Sequence, residues 1–245
     1  MIAPLDVLRH FSANLDDALA LLKRLVEMES GSSDKRGIDG LAEFLAREFV
    51  ARGARAEVLL LTGSGNALKV VWRGTGSGQP VLFLGHLDTV WPPGTAAVRP
   101  FALKDGKAYG PGVLDMKSGI LLCLLVCSAL HEQHLRSNSD VLFFFTPDEE
   151  TGSAGGLPLL TPIAKACRAV LCVEPPLPGG GAKTFRKGET GGGSDGSFTA
   201  ALGIPTLDGL GVDGDGAHAV HEHILVSDLP RRAALLGLLA QELSQ

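Results

Sequence analysis

The 245-residue sequence predicts a doubly wound α/β domain, and three observations lead there. Short continuous apolar runs, V-L-F-L-G-H from Val81, D-V-L-F-F-F-T from Asp140 and A-V-L-C-V from Ala169, have the length and the β-branched or aromatic content of strands buried on both faces. Segments with apolar residues at helical spacing alternate with them. Each run also ends abruptly in polar residues able to carry chemistry: His86 with Asp88, Glu149 with Glu150, and Glu174. In an open α/β sheet such strand ends share one rim, where ligands bind.

Taken in order, Leu15 to Met28 and Gly37 to Arg52 predict two amphipathic helices, the second stopping at Gly53. Between them, Glu29-Ser30-Gly31-Ser32-Ser33 is a small polar turn that either caps the second helix or faces a pocket, and capping is favoured. Ala56 to Leu61 and Ala67 to Trp72 read as strands around the turn Thr62-Gly63-Ser64-Gly65-Asn66, and the strand ending at His86 follows. Trp91 to Gly112 reads as an irregular loop rich in proline and glycine, and such loops tend to be functional. It delivers Asp115 to the start of an apolar helix from Ile120 to about Leu130, where the helix dipole favours an ionised carboxylate and N-capping is the competing role. After the buried run from Asp140 come Pro147-Asp148-Glu149-Glu150, adjacent acids that repel one another unless a cation compensates them. On extended backbone Glu149 and Glu150 point to opposite sides.

Thr161 is expected to cap a short helix from Pro162 to Cys167, and the strand from Ala169 ends in Glu174-Pro175-Pro176. Ala182 to Arg186 reads as a strand, Ser194-Asp195 as the cap of a helix through Ala201, and Gly203 to Leu207 as a brief strand. A glycine-rich run then delivers His218, with His221 and His223 close behind, and Ser227 or Asp228 caps the closing helix Leu229 to Leu243.

Composition bounds the function. With 45% hydrophobic and 20% charged residues the chain is an ordinary globular protein, and a net charge of -5 gives no general attraction to phosphate backbones, so no nucleic-acid partner is expected. The start M-I-A-P-L-D-V-L-R-H lacks a basic lead into an apolar core, and no stretch reads as a membrane span. The expectation is no membrane association and a cytoplasmic address. Cys123, Cys127, Cys167 and Cys172 form no close pair of metal-ligand spacing and are expected as buried reduced thiols. Lys183-Thr184 follows glycines, but Ala182 and Leu177 stand where a phosphate loop needs glycine.

Two imidazoles and three carboxylates, with a further carboxylate left over, suit a pair of Zn²⁺ ions bridged by an aspartate, with Co²⁺ or Mn²⁺ as alternatives. A two-metal site acidifies water and polarises a carbonyl, while the free carboxylate moves the proton. That combination hydrolyses amides. H-x-D alone is a weak signal; the ordered set H-L-D-T-V, G-V-L-D-M-K-S-G, D-E-E-T-G-S, V-E-P, G-G-G-S-D-G and G-A-H is a strong one.

With that set, the sequence from Leu15 to Leu243 resembles the M20 metallopeptidases, the group of glutamate carboxypeptidases, acetylornithine deacetylases and succinyl-diaminopimelate desuccinylases. The resemblance implies a three-layer zinc-exopeptidase-like α/β domain, with a mostly parallel mixed central sheet and helices on both faces. It implies that His86 and Glu174 bind one zinc, His218 and Glu150 the other, and that Asp115 bridges both. Glu149 is then the general base, and Asp88 orients His86. His221 and His223 become surface or pocket-wall groups. The function implied is release of a C-terminal amino acid from a small-molecule or peptide substrate with a free carboxylate, in the manner of a glutamate carboxypeptidase. An N-acyl amino acid deacylase and a non-catalytic metal-binding domain are the alternatives.

One departure stands out. Family members usually carry a dimerisation or lid domain between V-E-P and G-G-G-S-D, and here Arg186-Lys187-Gly188 joins Glu189-Thr190-Gly191 with almost nothing between. The chain is therefore expected to be a single catalytic domain over residues 1–245, lidless at about 187–190 and monomeric, with turnover impaired by the missing substrate contacts.

Overall fold

The computed structural model describes residues 3–184 and 194–245. The helices among them are α1 (Pro4–Ala13), α2 (Leu15–Glu27), α3 (Lys35–Ala51), α4 (Thr95–Val98), α5 (Ser118–His131), α6 (Leu157–Lys165), α7 (Asp195–Ala201) and α8 (Leu229–Leu243). The strands are β1 (Arg55–Leu59), β2 (Ala67–Trp72), β3 (Val81–His86), β4 (Ala102–Lys104), β5 (Lys107–Tyr109), β6 (Val141–Thr146), β7 (Ala169–Cys172), β8 (Lys183–Thr184), β9 (Thr206–Asp208), β10 (Gly214–Asp215) and β11 (His223–Leu225). The junction at 187–190, where a lid is expected to be missing, lies outside the described residues.

Among the described residues the main sheet has seven strands in the order β1-β2-β6-β3-β7-β9-β8. Its centre is parallel, β6 with β3, β3 with β7 and β7 with β9, whereas β1, β2 and β8 join antiparallel at the flanks. The α/β class and the mixed sheet agree with the sequence. Alternation along each central strand divides the side chains between two cores. Val81, Phe83, Val141, Phe143, Phe145 and Leu171 face the core shared with α2, α3, α5 and α8, while Leu82, Leu84, Leu142, Phe144 and Val170 face the smaller core under α6. Helices thus cover both faces, which is why these strands read as unbroken apolar runs. The Phe143 ring lies 5.0 Å from both Phe49 and Phe83, and burying each ring contributes about 1.5–3 kcal/mol.

Several local expectations change. Trp91 to Gly112 is not irregular: it holds α4 and the β4–β5 hairpin, where Lys104 pairs Lys107 across Asp105-Gly106. Both turn residues have positive φ, 51° and 74°, so the D-G pair that makes this two-residue turn was visible in the sequence. The hairpin joins β11 and β10 in a second, four-stranded sheet. α6 begins at Leu157 rather than at Pro162, and the Thr161 hydroxyl donates to the Leu157 carbonyl instead of capping. α1 was not anticipated at all. Val113–His131 is also apolar and long enough to count as a membrane span, against the sequence expectation, yet it is largely buried, with α5 packed on α2, α3, α8 and β3. All four cysteines are free and buried, as expected.

Candidate metal centre

The carboxyl ends of β3, β6 and β7 lie side by side because these strands are parallel neighbours, and each presents its expected residue at the rim. His86 closes β3, and Glu174 follows β7 by two positions. Glu149 and Glu150 follow β6 in a single 3-10 turn, so the condition of extended backbone under which they would point to opposite sides is not met and their directions are set by that turn. Asp115 sits in a wide turn, Val113–Lys117, ahead of α5; its φ of -117° and ψ of 94° are not helical and it caps nothing. His218 arrives from outside the main sheet, between β10 and β11, in the left-handed region at φ 62°. For a non-glycine residue that conformation costs on the order of 1–3 kcal/mol, and it turns the ring toward the strand ends.

The five candidate ligands converge. His86 Nε2 lies 3.1 Å from Asp115 Oδ1 and 3.5 Å from Glu174 Oε1. His218 Nε2 lies 3.2 Å from Asp115 Oδ2 and 3.1 Å from Glu150 Oε2. Asp115 therefore offers one oxygen to each imidazole. Glu149 is close enough for the charges of His86, Glu150 and Asp115 to act on its carboxyl.

Asp88 works differently from the simple expectation. His86 Nδ1 is 2.9 Å from the Asp88 backbone carbonyl and 3.3 Å from its carboxylate, so the carbonyl holds the ring more closely. The carboxylate instead accepts the Glu149 amide at 3.0 Å, the Glu150 amide at 3.2 Å and the Ser32 hydroxyl at 2.8 Å. Ser32 belongs to the polar turn after α2. That turn is not a cap: Gly31 bridges Thr89, and Asp34 precedes α3 without a side-chain capping bond.

Burial and mutual contact shift the titration of the whole cluster. Burial pushes Glu149 up to about 8 and Glu150 up to about 7, and raises Glu174 well above the carboxylate range. Burial also acts to raise Asp115, but hydrogen bonds from His218 and His86 outweigh it and hold that carboxyl low. Desolvation would depress His86, yet Glu174, Asp115 and Asp88 raise it well above its ordinary value; the Asp115 bond is the main reason His218 rises to about 9. Among the described residues, Glu150 Oε1 and Glu174 Oε1 are buried and find no hydrogen-bond donor. Such orphaned oxygens are costly unless an ion takes them. The donor set is imidazole and carboxylate without thiolate, which suits Zn²⁺, Co²⁺ or Mn²⁺.

Three supporting residues carried too little signal to be found from sequence. Asp195, expected only as part of a cap, is buried and accepts the hydroxyls of Thr146 and Ser153 on either side of the Glu149–Glu150 turn. Ser194 is the residue that caps α7. Lys117 is fully buried, with Nζ donating to the Met28 carbonyl at 2.6 Å. Glu222, between the exposed His221 and the buried His223, is itself completely buried.

Comparison with known proteins bears on the family and the fold. The model of peptidase family M20/M25/M40 matches residues 82–188 and 179–242. Carboxypeptidase G2 of Pseudomonas sp. (strain RS-16) is 34% identical over 174 residues, 67% of this chain and 41% of that protein. Succinyl-diaminopimelate desuccinylase of Anaplasma marginale (strain Florida) is 38% identical over 109 residues, 43% of this chain and 28% of that one. The chain thus spans less than half the length of either relative. Among solved structures, aminopeptidase PepT from Bacillus cereus ATCC 10987 shares the fold with a TM-score of 0.78 at 16% identity, covering 95% of this chain and 99% of that one. An M20 family metallo-carboxypeptidase from Sulfolobus solfataricus superposes with a TM-score of 0.58 at 17% identity over 69% of this chain and 40% of that one. With the family model running from β3 into the closing helix, this chain belongs to peptidase family M20/M25/M40.

Proposed function

We propose that the chain is the catalytic domain of a di-metal amidohydrolase that releases a C-terminal amino acid, of the carboxypeptidase type. The observation that carries this reading is the division of Asp115, with Oδ1 toward His86 and Oδ2 toward His218. That is the disposition of a bridging carboxylate between two ions. His86 with Glu174 would hold one Zn²⁺ and His218 with Glu150 the other. When bound, such a pair polarises a carbonyl and acidifies water. Glu149, left over from the ligand set and held by burial near neutral acidity, accepts and returns the proton; Asp88 fixes both the His86 ring and the turn carrying Glu149.

The likeness to carboxypeptidase G2 favours release of a C-terminal amino acid, for which the motif resemblance to glutamate carboxypeptidases suggests glutamate, while that to the desuccinylases favours an N-succinyl amino acid. The two matched segments of the family model overlap at 179–188, consistent with a domain whose lid is missing there; in this reading such a domain is monomeric and turns over slowly for want of contacts to the substrate carboxylate.

Metal analysis of the purified protein, paired with assays on N-acylated glutamates and on N-succinyl and N-acetyl amino acids, tests the reading. Two ions per chain and hydrolysis sensitive to chelators are expected. Glu149→Gln should lower turnover on the order of 10²–10⁴-fold without expelling metal. Activity that survives complete chelation rejects the metallohydrolase. Bound metal with no hydrolysis in any arm leaves the non-catalytic domain standing.

A further inference from the structure

Glu222 is the most heavily engaged carboxylate near the centre, and it touches none of the candidate ligand side chains. Oε1 accepts the backbone amides of Leu114 at 2.9 Å and Asp115 at 3.1 Å; Oε2 accepts the Gly112 amide and the Trp91 indole N–H, both at 2.9 Å. Four donors on two oxygens require an ionised, acceptor-only carboxylate. Two of the four come from the wide turn that presents Asp115, including the Asp115 amide itself, and a third from Gly112 immediately before it. The fourth ties in Trp91, whose ring is stacked under Arg99 at 4.2 Å.

Position in the chain gives these bonds their meaning. Glu222 stands four residues after His218 and one before β11, so the segment that brings His218 in from the second sheet also grips the Asp115 turn. We infer that Glu222 is a positioning residue for the metal centre: through the Asp115 backbone, it sets the separation at which His218 and the bridging carboxylate face each other. β11 also pairs with β5, and His218 meets Asp115 directly, but Glu222 is the side chain that ties the His218 segment to the backbone amide of Asp115 itself. Groups behind metal ligands commonly matter this way, since their loss weakens metal affinity by roughly 10–100-fold. The inference rests on the di-metal reading for its consequence and on the four hydrogen bonds for its geometry.

The test compares metal-free wild type with Glu222→Gln by zinc titration calorimetry and thermal melting. Glutamine keeps one acceptor oxygen but turns an NH₂ group toward two N–H donors, so part of the turn must detach. The expected result is roughly 10–100-fold weaker binding of one ion, the one shared by His218, Glu150 and Asp115, in a variant that still folds. Glu222→Asp keeps the charge but is one methylene shorter, and it should fall between the two. A purely structural role would lower the metal-free melting temperature and leave zinc affinity at the wild-type value, which would overturn the inference. Hydrogen exchange on unmutated metal-free protein supplies an arm that needs no variant: the Gly112, Leu114 and Asp115 amides should be protected, and exchange at open-loop rates would also overturn it. Should wild type bind no zinc, the di-metal reading fails, and the exchange result alone decides whether Glu222 organises the turn.

Discussion

The Asp88 carboxylate accepts the Glu149 backbone amide at 3.0 Å, joining the loop after β3 to the turn after β6. The same carboxylate holds the Glu150 amide and the Ser32 hydroxyl, so three donors from two other loops depend on it. Asp88→Asn replaces one acceptor with a donor in a fully buried place. The unmatched donor should cost about 1–3 kcal/mol in stability. Because the turn carrying Glu149 would shift, kcat should fall further than that loss explains, on the order of a hundredfold for a displacement near 1 Å. Denaturant unfolding and steady-state kinetics on the same preparation check this, and wild-type kcat in Asp88→Asn would show that the turn is fixed by something else.

The acid–base state of the cluster sets a pH dependence whose sign follows from the folded-state shifts. Glu149, Glu150 and His218 all have raised pKa values, about 8, about 7 and about 9, so the folded metal-free chain holds more protons than the unfolded chain across neutral pH. Stability must then fall as pH rises through that range. For His218 the contribution is complete below the ordinary imidazole value and gone above about 9; for the two glutamates it begins to fade above the ordinary carboxyl value. Lys117 acts oppositely, being depressed to about 8 chiefly by burial, but only above that pH. Chelated protein should therefore melt at a lower temperature at pH 8 than at pH 6. Zinc affinity should move the other way, rising about tenfold per pH unit for each proton displaced. Melting curves and zinc titrations at the two pH values check both; zinc affinity that does not change with pH would mean the ligand groups carry no protons to displace.

Legibility in the sequence followed how locally each feature was determined. The buried strands were plain, since V-L-F-F-F-T can sit nowhere but between two helical layers, and the candidate ligand residues were plain because each stands at the end of such a run or in a glycine-flanked turn. What was hidden depends on contacts between distant segments. Ser32 gains its role only because the turn after α2 lies beside Thr89, and Glu222 looks like a solvent-facing acid among histidines until the Asp115 turn folds over it. Asp195 read as a cap because nothing local marks Thr146 and Ser153 as its donors. The D-G hairpin of β4 and β5 was a different kind of miss, a local signal outweighed by the surrounding proline and glycine.

Buried cysteines give a prediction about reactivity. Burial pushes the Cys127 and Cys167 thiols up to about 12, and raises Cys123 and Cys172 well above the ordinary value. The thiolate is the reactive form, so the native chain should resist alkylation at pH 8 and react fully once denatured. Mass spectrometry after iodoacetamide treatment reads this directly, and rapid native labelling at Cys123 would place α5 outside the core.

Two glycines in helices separate packing from propensity. A methyl group at Gly119, in the first turn of α5, would run into the backbone carbonyl of Val173, which cannot swing aside as a side chain could. Gly119→Ala must therefore move α5 away from β7, and with it the neighbouring Asp115 turn on one side and Glu174 on the other. A loss of about 1–3 kcal/mol is expected from the overpacking, together with weaker zinc binding, because the two candidate ligands separate. At Gly40, inside α3, the same methyl group meets nothing. Gly40→Ala should therefore gain about 0.5–1 kcal/mol from helix propensity and leave zinc binding alone. Urea unfolding and zinc titration of both variants distinguish the effects: equal stabilisation at the two positions would mean that α5 and β7 are not in contact, and the spacing between Asp115 and Glu174 would lose its structural basis.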